Sequence, residues 1–281
     1  GEFGIEGRGR GAAWDEGVGR RRPALLLGAD GRMDSVARRF VAGDNTPVYQ
    51  GFVNWVGVAQ GASALVDDIA IRDYWGSGDR CGCVAVRPDL VYWAAAQARP
   101  LPGAAPAADM RKELEDLFAG WPEPVTRIIQ ATPAHAIRLI AVHDLEPLHT
   151  WSRANVLLVG DAAHAPLPTS GQGACQALED AWHLARCLVG TNACLDEALL
   201  RFAQIRGPKT AKLAEQGRVF ARGLFATDPE TCRIRNERAK ASDPLRDVHA
   251  LAAGWAQGLP MAGCTDGTPM DGVGPGSLYR L

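Results

Sequence analysis

The sequence carries little excess charge of either sign. Its 281 residues hold 30 Lys+Arg against 32 Asp+Glu, a formal net charge of −2. That balance argues against binding driven by nucleic-acid phosphates. A long hydrophobic run is also lacking. The longest uncharged stretches, Ala162–Leu178 and Val248–Thr265, are broken by Gly and Pro, whereas a membrane span needs about 20 mostly apolar residues. No charged segment followed by an apolar one opens the chain, so secretion is not indicated and the expected location is the cytoplasm. Cysteines are few and unpaired in pattern: of seven, Cys81 and Cys83 form a C-x-C, and no C-x-x-C or zinc-spaced His cluster occurs. Metal binding is not expected, and the thiols read as free and buried. No internal repeat is evident.

What is present is an ordinary globular composition, 47% hydrophobic and 22% charged, with length for one large or two medium domains at about 150 residues each. Gly1–Arg22 is rich in Gly and Arg. Ile5-Glu6-Gly7-Arg8 resembles a protease-cleavable linker, and the alternative is a strand and hairpin around Trp14-Asp15-Glu16-Gly17. Ala24–Gly28 has the length of a buried strand, Asp30-Gly31 signals a turn, and Ser35–Phe40 begins a helix. Residues 46–145 change character. Val48–Val58, Cys81–Val86, Leu90–Ala96 and Ile137–Val142 read as antiparallel strands. Ala107–Gly120 reads as a helix with Leu114, Leu117 and Phe118 on one face, followed by a short one over Pro122–Ala131.

The segment Val156–Gly190 is the most informative. Leu157-Leu158-Val159 is a buried strand and Gly160–Ser170 a loop. From Gly171 the pattern turns helical, with Ala174, Ala177, Leu178, Ala181, Leu184, Ala185 and Leu188 marking one apolar face. A second helix covers Leu195–Ile205, Pro208 breaks or kinks it, and Lys209–Phe225 resumes. After Asp243 the chain is Gly- and Pro-rich, and Thr265–Ser277 reads as loosely structured.

Two G-x-G patterns compete for an anion. Gly7-Arg8-Gly9-Arg10-Gly11-Ala12 matches the dinucleotide fingerprint formally but has neither a strand before it nor a helix after it. Gly171-Gln172-Gly173 opens a periodic helix, where free N–H groups and the positive dipole end would face an anion or an electron-rich carbonyl. Glycine there lets a flat ring approach the backbone; close helix–sheet packing is the alternative reading. Asp161 follows a strand and Gly160, a placement suited to a sugar hydroxyl or ribityl chain, or simply to a turn. Asp30 has the same placement after Ala24–Gly28.

The run Gly160-Asp161-Ala162-Ala163-His164-Ala165-Pro166-Leu167-Pro168-Thr169-Ser170-Gly171-Gln172-Gly173-Ala174-Cys175-Gln176-Ala177-Leu178-Glu179-Asp180-Ala181 closely resembles the second flavin-binding motif of FAD-dependent aromatic hydroxylases, the single-component monooxygenases of the p-hydroxybenzoate, salicylate and urate hydroxylase type. Leu25–Arg38, with Asp30-Gly31, resembles that family's Asp-Gly motif, which is associated with FAD and NAD(P)H. Phe202…Arg206-Gly207-Pro208-Lys209, Asn54-Trp55 and His143–Pro147 are also similar, so the resemblance covers roughly residues 23–240.

The resemblance implies an α/β fold. A Rossmann-like FAD-binding domain, discontinuous over 1–44 and 149–230, is interrupted by an antiparallel-sheet substrate domain over 45–148 and followed by a C-terminal helix and irregular tail over 231–281. It implies FAD as cofactor, held by Asp30, Gly31, Arg38, Gly160, Asp161, Pro168, Gly171, Gln172 and Gly173, with Asp161 on the ribityl chain. It implies NADH or NADPH as co-substrate, O2 addition to give a flavin C4a-hydroperoxide, and a small aromatic or heteroaromatic substrate covered by the 46–145 sheet. Relatives of this type begin with a strand–GxGxxG–helix unit, so the chain reads as amino-terminally truncated. A flavin-dependent reductase or dehydrogenase of the same superfold, and a non-catalytic FAD-binding or interaction module, remain open.

Other residues read as structural. His164 packs or hydrogen-bonds within the loop. His143 and Asp144 point to opposite faces of one strand and form no dyad. Ser170 makes no nucleophile elbow. Trp55, Trp75, Trp93 and Tyr92 read as sheet core, Trp121 as a packing anchor, and Arg72, Arg87 and Arg138 as a solvated face. No catalytic side chain is singled out.

Overall fold

The structure, a computed structural model, describes residues 3–4, 13–15, 20–21, 23–43, 45–61, 71–103, 109–189 and 194–260. The Gly7–Ala12 pattern, Ile5–Arg8 and Thr265–Ser277 lie outside them. The chain divides into two compact units, Gly1–Gln50 with Val142–Arg222, and Gly51–Ala141 with Gly223–Leu281.

The first unit begins with three short antiparallel strands: β1 (Phe3–Gly4), β2 (Ala13–Asp15) and β3 (Arg20–Arg21). Trp14 pairs with Arg21 and Asp15 with Arg20, the hairpin alternative of the sequence reading. A second sheet has the order β10-β11-β4. In it β4 (Leu26–Gly28) runs parallel to β11 (Val156–Leu158), and β10 (Ser152–Arg153) is antiparallel to β11. Because Leu158 lies opposite Gly28, the two strand–Gly–Asp turns leave the sheet side by side.

Helix α1 (Val36–Ala42) is capped by Ser35 and packs directly on the end of β4. A Cβ on Gly28 would meet Ala37 Cβ at 2.3 Å, so only glycine permits this approach. Val156, Leu157 and Leu158 are fully buried among Ala37, Val41, Trp151, Ala163, Leu184 and Phe202. Burying each such aliphatic side chain contributes about 1.5–3 kcal/mol.

The expected loop Gly160–Ser170 contains a single helical turn, α4 (Asp161–His164), and a 3₁₀ turn, Pro168–Ser170. Helix α5 (Gly173–Val189) follows. Its orientation corrects the sequence reading. Of the apolar face named there, only Leu184 is buried; Ala174, Ala177, Leu178, Ala181, Ala185 and Leu188 are exposed, Leu178 by 72%. The buried face is mostly polar: Gln176, Glu179, Asp180 and His183, with Leu184 and Cys187. The inversion is stable because these groups are bonded to one another and to helix α6 (Leu195–Leu224), so no charge is buried alone.

Helix α6 runs continuously through Pro208, so of the break or kink expected there it is the break that does not occur. The proline removes one bond, that to the Gln204 carbonyl. Arg206 is anchored to α5 by four hydrogen bonds, and Thr210 Oγ1 donates to the Arg206 and Gly207 carbonyls. Tertiary packing outweighs the local propensity.

The second unit is built on an antiparallel sheet of order β6-β7-β8-β5-β9. The sheet comprises β5 (Val48–Gln60), β6 (Ile71–Trp75), β7 (Asp79–Arg87), β8 (Leu90–Ala98) and β9 (Arg138–Asp144), of which the first three residues of β5 and the last three of β9 belong to the first unit. Strand β6 is an addition to the strands that the sequence pattern marks. Trp55 and Trp93 are fully buried as expected, with Trp93 Nε1 donating to Thr132 Oγ1 at 2.8 Å, while Tyr92 is 41% exposed and not core. Helices α2 (Met110–Leu117) and α3 (Glu123–Gln130) bury Leu114, Val125, Ile128 and Ile129. Trp121 lies edge-on to Phe118.

Two further helices, α7 (Pro229–Ala241) and α8 (Pro244–Ala256), lie in that unit. Where one C-terminal helix was expected over 231–281, the described residues hold two, the second despite the Gly- and Pro-rich composition after Asp243. Each opens on Asp-Pro, with the Asp228 or Asp243 carboxylate accepting N–H bonds of the first turn and proline at the position where its missing N–H costs nothing. Cys81, Cys83 and Cys187 are buried and form no disulfide, but Cys175 and Cys194 are exposed, against the reading of all thiols as buried. No helix among the described residues is long and apolar enough to cross a membrane.

Candidate functional site

The site forms where β4 and β11 end together. A cleft beyond the carboxyl ends of adjacent parallel strands is where open α/β sheets hold ligands. After β11, Gly160 adopts φ +56°, a left-handed conformation that glycine takes without strain, and Asp161 opens α4. The Asp161 carboxylate is 44% exposed and lies 3.9 Å from Arg32 Nη1, contributed by the turn after β4. A Cβ on Gly173 would stand 3.8 Å from Asp161 Oδ1. The first residue of α5 therefore flanks the same carboxylate.

The Asp-Gly turn is held from within. Asp30 accepts from Ser35 Oγ at 2.6 Å and from the Ala37 N–H at 3.0 Å. Burial pushes the Asp30 carboxyl up, but the bonds from Ser35 and from the first-turn N–H groups outweigh it and hold it below the usual carboxylate range. Gly31 has φ +78°. Arg38 is 2% exposed. It donates Nε to the Asn45 carbonyl (3.0 Å), Nη1 to those of Gly31 (3.2 Å) and Ala162 (3.4 Å), and Nη2 to that of Arg32. One guanidinium thus ties the Asp-Gly turn to α4.

The loop into α5 supplies donors. Pro168 opens the 3₁₀ turn and is exposed; Gly171 follows with φ +66° in the left-handed region, and its N–H donates to the Pro168 carbonyl. The first-turn N–H groups of α5 have no intrahelical acceptor and sit at the positive end of the helix dipole. Gln172 is buried, and its side-chain oxygen accepts from Gln176 Nε2 at 3.2 Å.

Of the nine residues read as cofactor-binding, Asp161, Pro168, Gly171 and Gly173 are presented at the surface of this region. Asp30, Arg38 and Gln172 hold its frame, and Gly31 and Gly160 shape its turns. Sequence reading missed Arg32, Asp180 and Arg206. Asp180 lies on the polar side of α5 that a hydrophobic stripe conceals. His164 packs and hydrogen-bonds as read, with Nε2 2.6 Å from Asp180 Oδ2 and the Trp151 ring centroid 5.5 Å away, tilted by 31°. Asp144 is buried and bonded to Arg218, with His143 on the other side of the strand. Among the described residues no group of His, Cys, Asp or Glu is placed to hold a metal.

These residues fit FAD. Arg32 Nε and Thr169 Oγ1 are buried without a hydrogen-bond partner, a costly state that a ligand with acceptor atoms relieves. A cation, a helix N-terminus and an accessible carboxylate together match phosphate, ring carbonyl and polyol hydroxyls.

The fold and these turns define an FAD-binding α/β module. The family model described as "FAD binding domain" matches residues 12–215, more than half of the chain, and the chain belongs to that family, the FAD-dependent aromatic hydroxylases. Among relatives, aurachin C monooxygenase/isomerase of Stigmatella aurantiaca is 39% identical over 65% of this chain and 46% of its own length. The FAD-dependent urate hydroxylase of Mycolicibacterium vanbaalenii is 28% identical over 86% of this chain and 62% of its own. The crystal structure of Klebsiella pneumoniae HpxO complexed with FAD and uric acid superposes with a TM-score of 0.82 at 26% identity, covering 90% of this chain and 65% of that one. The chain thus spans between about half and two thirds of the length of these relatives.

Proposed function

We propose that the chain supplies the flavin-binding part of an FAD-dependent monooxygenase, located in the cytoplasm, that hydroxylates a small aromatic or heteroaromatic compound using NAD(P)H and O2. The observation that carries this reading is the convergence of Arg32, Asp161 and the N-terminus of α5 beyond two adjacent parallel strands. The aromatic character of the substrate is carried over from relatives whose names specify urate hydroxylation and a uric acid complex.

In this assignment Asp161 binds ribityl hydroxyls, which need an accessible acceptor. Gly171 and Gly173 let the flavin ring approach the backbone. Arg32 meets an anionic group of the cofactor. The first-turn N–H groups of α5 stabilise negative charge at the ring edge nearest them, in a setting where fixed dipoles need no reorganisation. FAD, when bound, supplies the redox and oxygen chemistry; the protein contributes binding, orientation and electrostatics.

The test is NAD(P)H oxidation by the chain with added FAD under 18O2, against a set of small aromatics that includes urate and salicylate. The expected result is one labelled oxygen in a hydroxylated product. Substrate conversion without label contradicts the proposal in favour of a reductase, and no NAD(P)H consumption contradicts it for this chain.

A further inference from the structure

We propose that Asp180, on α5, is a positioning residue that sets where the Asp161 carboxylate stands. The proposal rests on the reading of the Asp161 turn as the FAD site.

Helix α4 has four residues, too few to hold its own shape, because a single turn fixes several dihedrals for very few bonds. Something else must place it. Asp180 Oδ2 accepts from the Gly160 N–H at 2.7 Å, immediately before α4, and lies 2.6 Å from His164 Nε2, on its last residue. One carboxylate oxygen therefore grips both ends of the turn whose first residue is Asp161. The other oxygen, Oδ1, accepts from Arg206 Nε at 2.7 Å, so α6 holds the gripping group in turn. Asp180 and Arg206 are fully buried, and the His164 side chain is 5% exposed, where hydrogen bonds of this kind are strong and their loss is not made good by water. Asp180 touches no surface that a ligand reaches; its effect on a ligand must pass through Asp161.

Two measurements on the intact chain test this. The first is amide hydrogen exchange. Asp180→Asn removes the charge and leaves one acceptor oxygen where two served Gly160, His164 and Arg206, while His164→Phe removes one arm of the grip and keeps an aromatic ring against Trp151. Both variants are expected to raise exchange of the Asp161–His164 amides at least tenfold, with the amides of β7 and β8 unchanged. The second is a double-mutant cycle on FAD affinity. Asp161→Ala and His164→Phe are each expected to raise Kd, and the double variant is expected to be no weaker than Asp161→Ala alone, because both changes remove the same contact.

Unchanged exchange of the α4 amides in both variants overturns the proposal, and so does strict additivity in the cycle. If Asp161→Ala leaves FAD affinity unaltered, the cofactor reading of Asp161 fails, and the exchange measurement alone then decides whether Asp180 places the turn.

Discussion

Arg206 Nε donates to Asp180 Oδ1 at 2.7 Å, and neither side chain has more than 1% of its surface in contact with solvent. The same guanidinium donates Nη1 to Glu179 Oε2 at 2.8 Å and Nη2 to Gln176 Oε1 at 2.7 Å, and Lys209 Nζ adds a second cation 2.7 Å from Glu179. The α5–α6 contact is thus an ionic core where a hydrophobic one was expected. Removing the central cation leaves buried carboxylates poorly compensated. Arg206→Met is expected to destabilise the chain by about 3–5 kcal/mol, read from urea unfolding; a loss below about 1 kcal/mol contradicts this assignment.

Arg38 makes a second prediction. Its four donor bonds go to backbone carbonyls of three segments, and a lysine, with one nitrogen, cannot reach them all. Arg38→Lys is expected to cost about 1–3 kcal/mol for the carbonyls left unpaired and to weaken flavin binding by loosening α4 from the Asp-Gly turn. Calorimetric unfolding and a flavin titration of the same variant check both parts. A stable variant with unchanged flavin affinity would remove Arg38 from the frame of the site.

The outward face of α5 predicts a contrast between two leucines one helical face apart. Leu178 is 72% exposed and Leu184 5%. Leu178→Glu is expected to change stability by no more than about 0.5 kcal/mol, whereas Leu184→Ala is expected to cost about 2–5 kcal/mol. Equal costs in thermal or urea unfolding contradict the helix orientation.

Stability should also depend on pH in two windows. Burial, with Arg206 and Lys209 nearby, holds His183 below its ordinary value of 6.5, against the opposing pull of Glu179 and Asp180. The unfolded chain then binds the proton more readily. The contribution is complete above pH 6.5 and declines as the pH falls through it. His183→Gln is expected to flatten the stability profile between about pH 7.5 and 5.5. In the acid window burial pushes Asp180 up, but the bonds from His164, Arg206 and the Gly160 N–H outweigh it and hold it below 3.8. Its contribution is full above that pH and is lost as the pH falls through the depressed value. A profile of urea midpoints against pH for wild type and His183→Gln separates the two windows.

The parts of the molecule legible in sequence were those in which local pattern and burial agree. Val156–Leu158 is a short apolar run because that strand is fully covered. Ala24–Gly28 has the same pattern and does form a strand, but it is not the buried one expected, since Leu27 is 48% exposed. The Gly-Asp turns after both are recognisable because the backbone there has few alternatives. The antiparallel strands β5, β7 and β8 follow from β-branched and aromatic runs divided by turn residues. The α5 orientation was hidden because periodicity counts apolar side chains and is blind to charges that satisfy each other: Glu179, Asp180 and Arg206 lie in sequence positions that read as surface. For the same reason Pro208 does not break α6, since the ion-pair anchor at Arg206 holds the turn around it. The C-terminal helix expected over 231–281 is two helices, and Asp243-Pro244 marks the start of α8 as Asp228-Pro229 does that of α7. Of the site, Asp161 and the glycines were readable from spacing. Arg32 and Asp180 were not, since their partners lie far away in the chain or on an unexpected face.

The central claim is that the Asp161 turn holds the flavin. It is tested most directly by titrating FAD into the purified chain and following flavin fluorescence and the visible spectrum, with Asp161→Ala measured beside it. The account predicts saturable binding at one FAD per chain with perturbed flavin bands, and affinity at least tenfold weaker for Asp161→Ala at an unchanged unfolding temperature. A chain that gives no spectral change with FAD, or that binds it equally well without the Asp161 carboxylate, contradicts it.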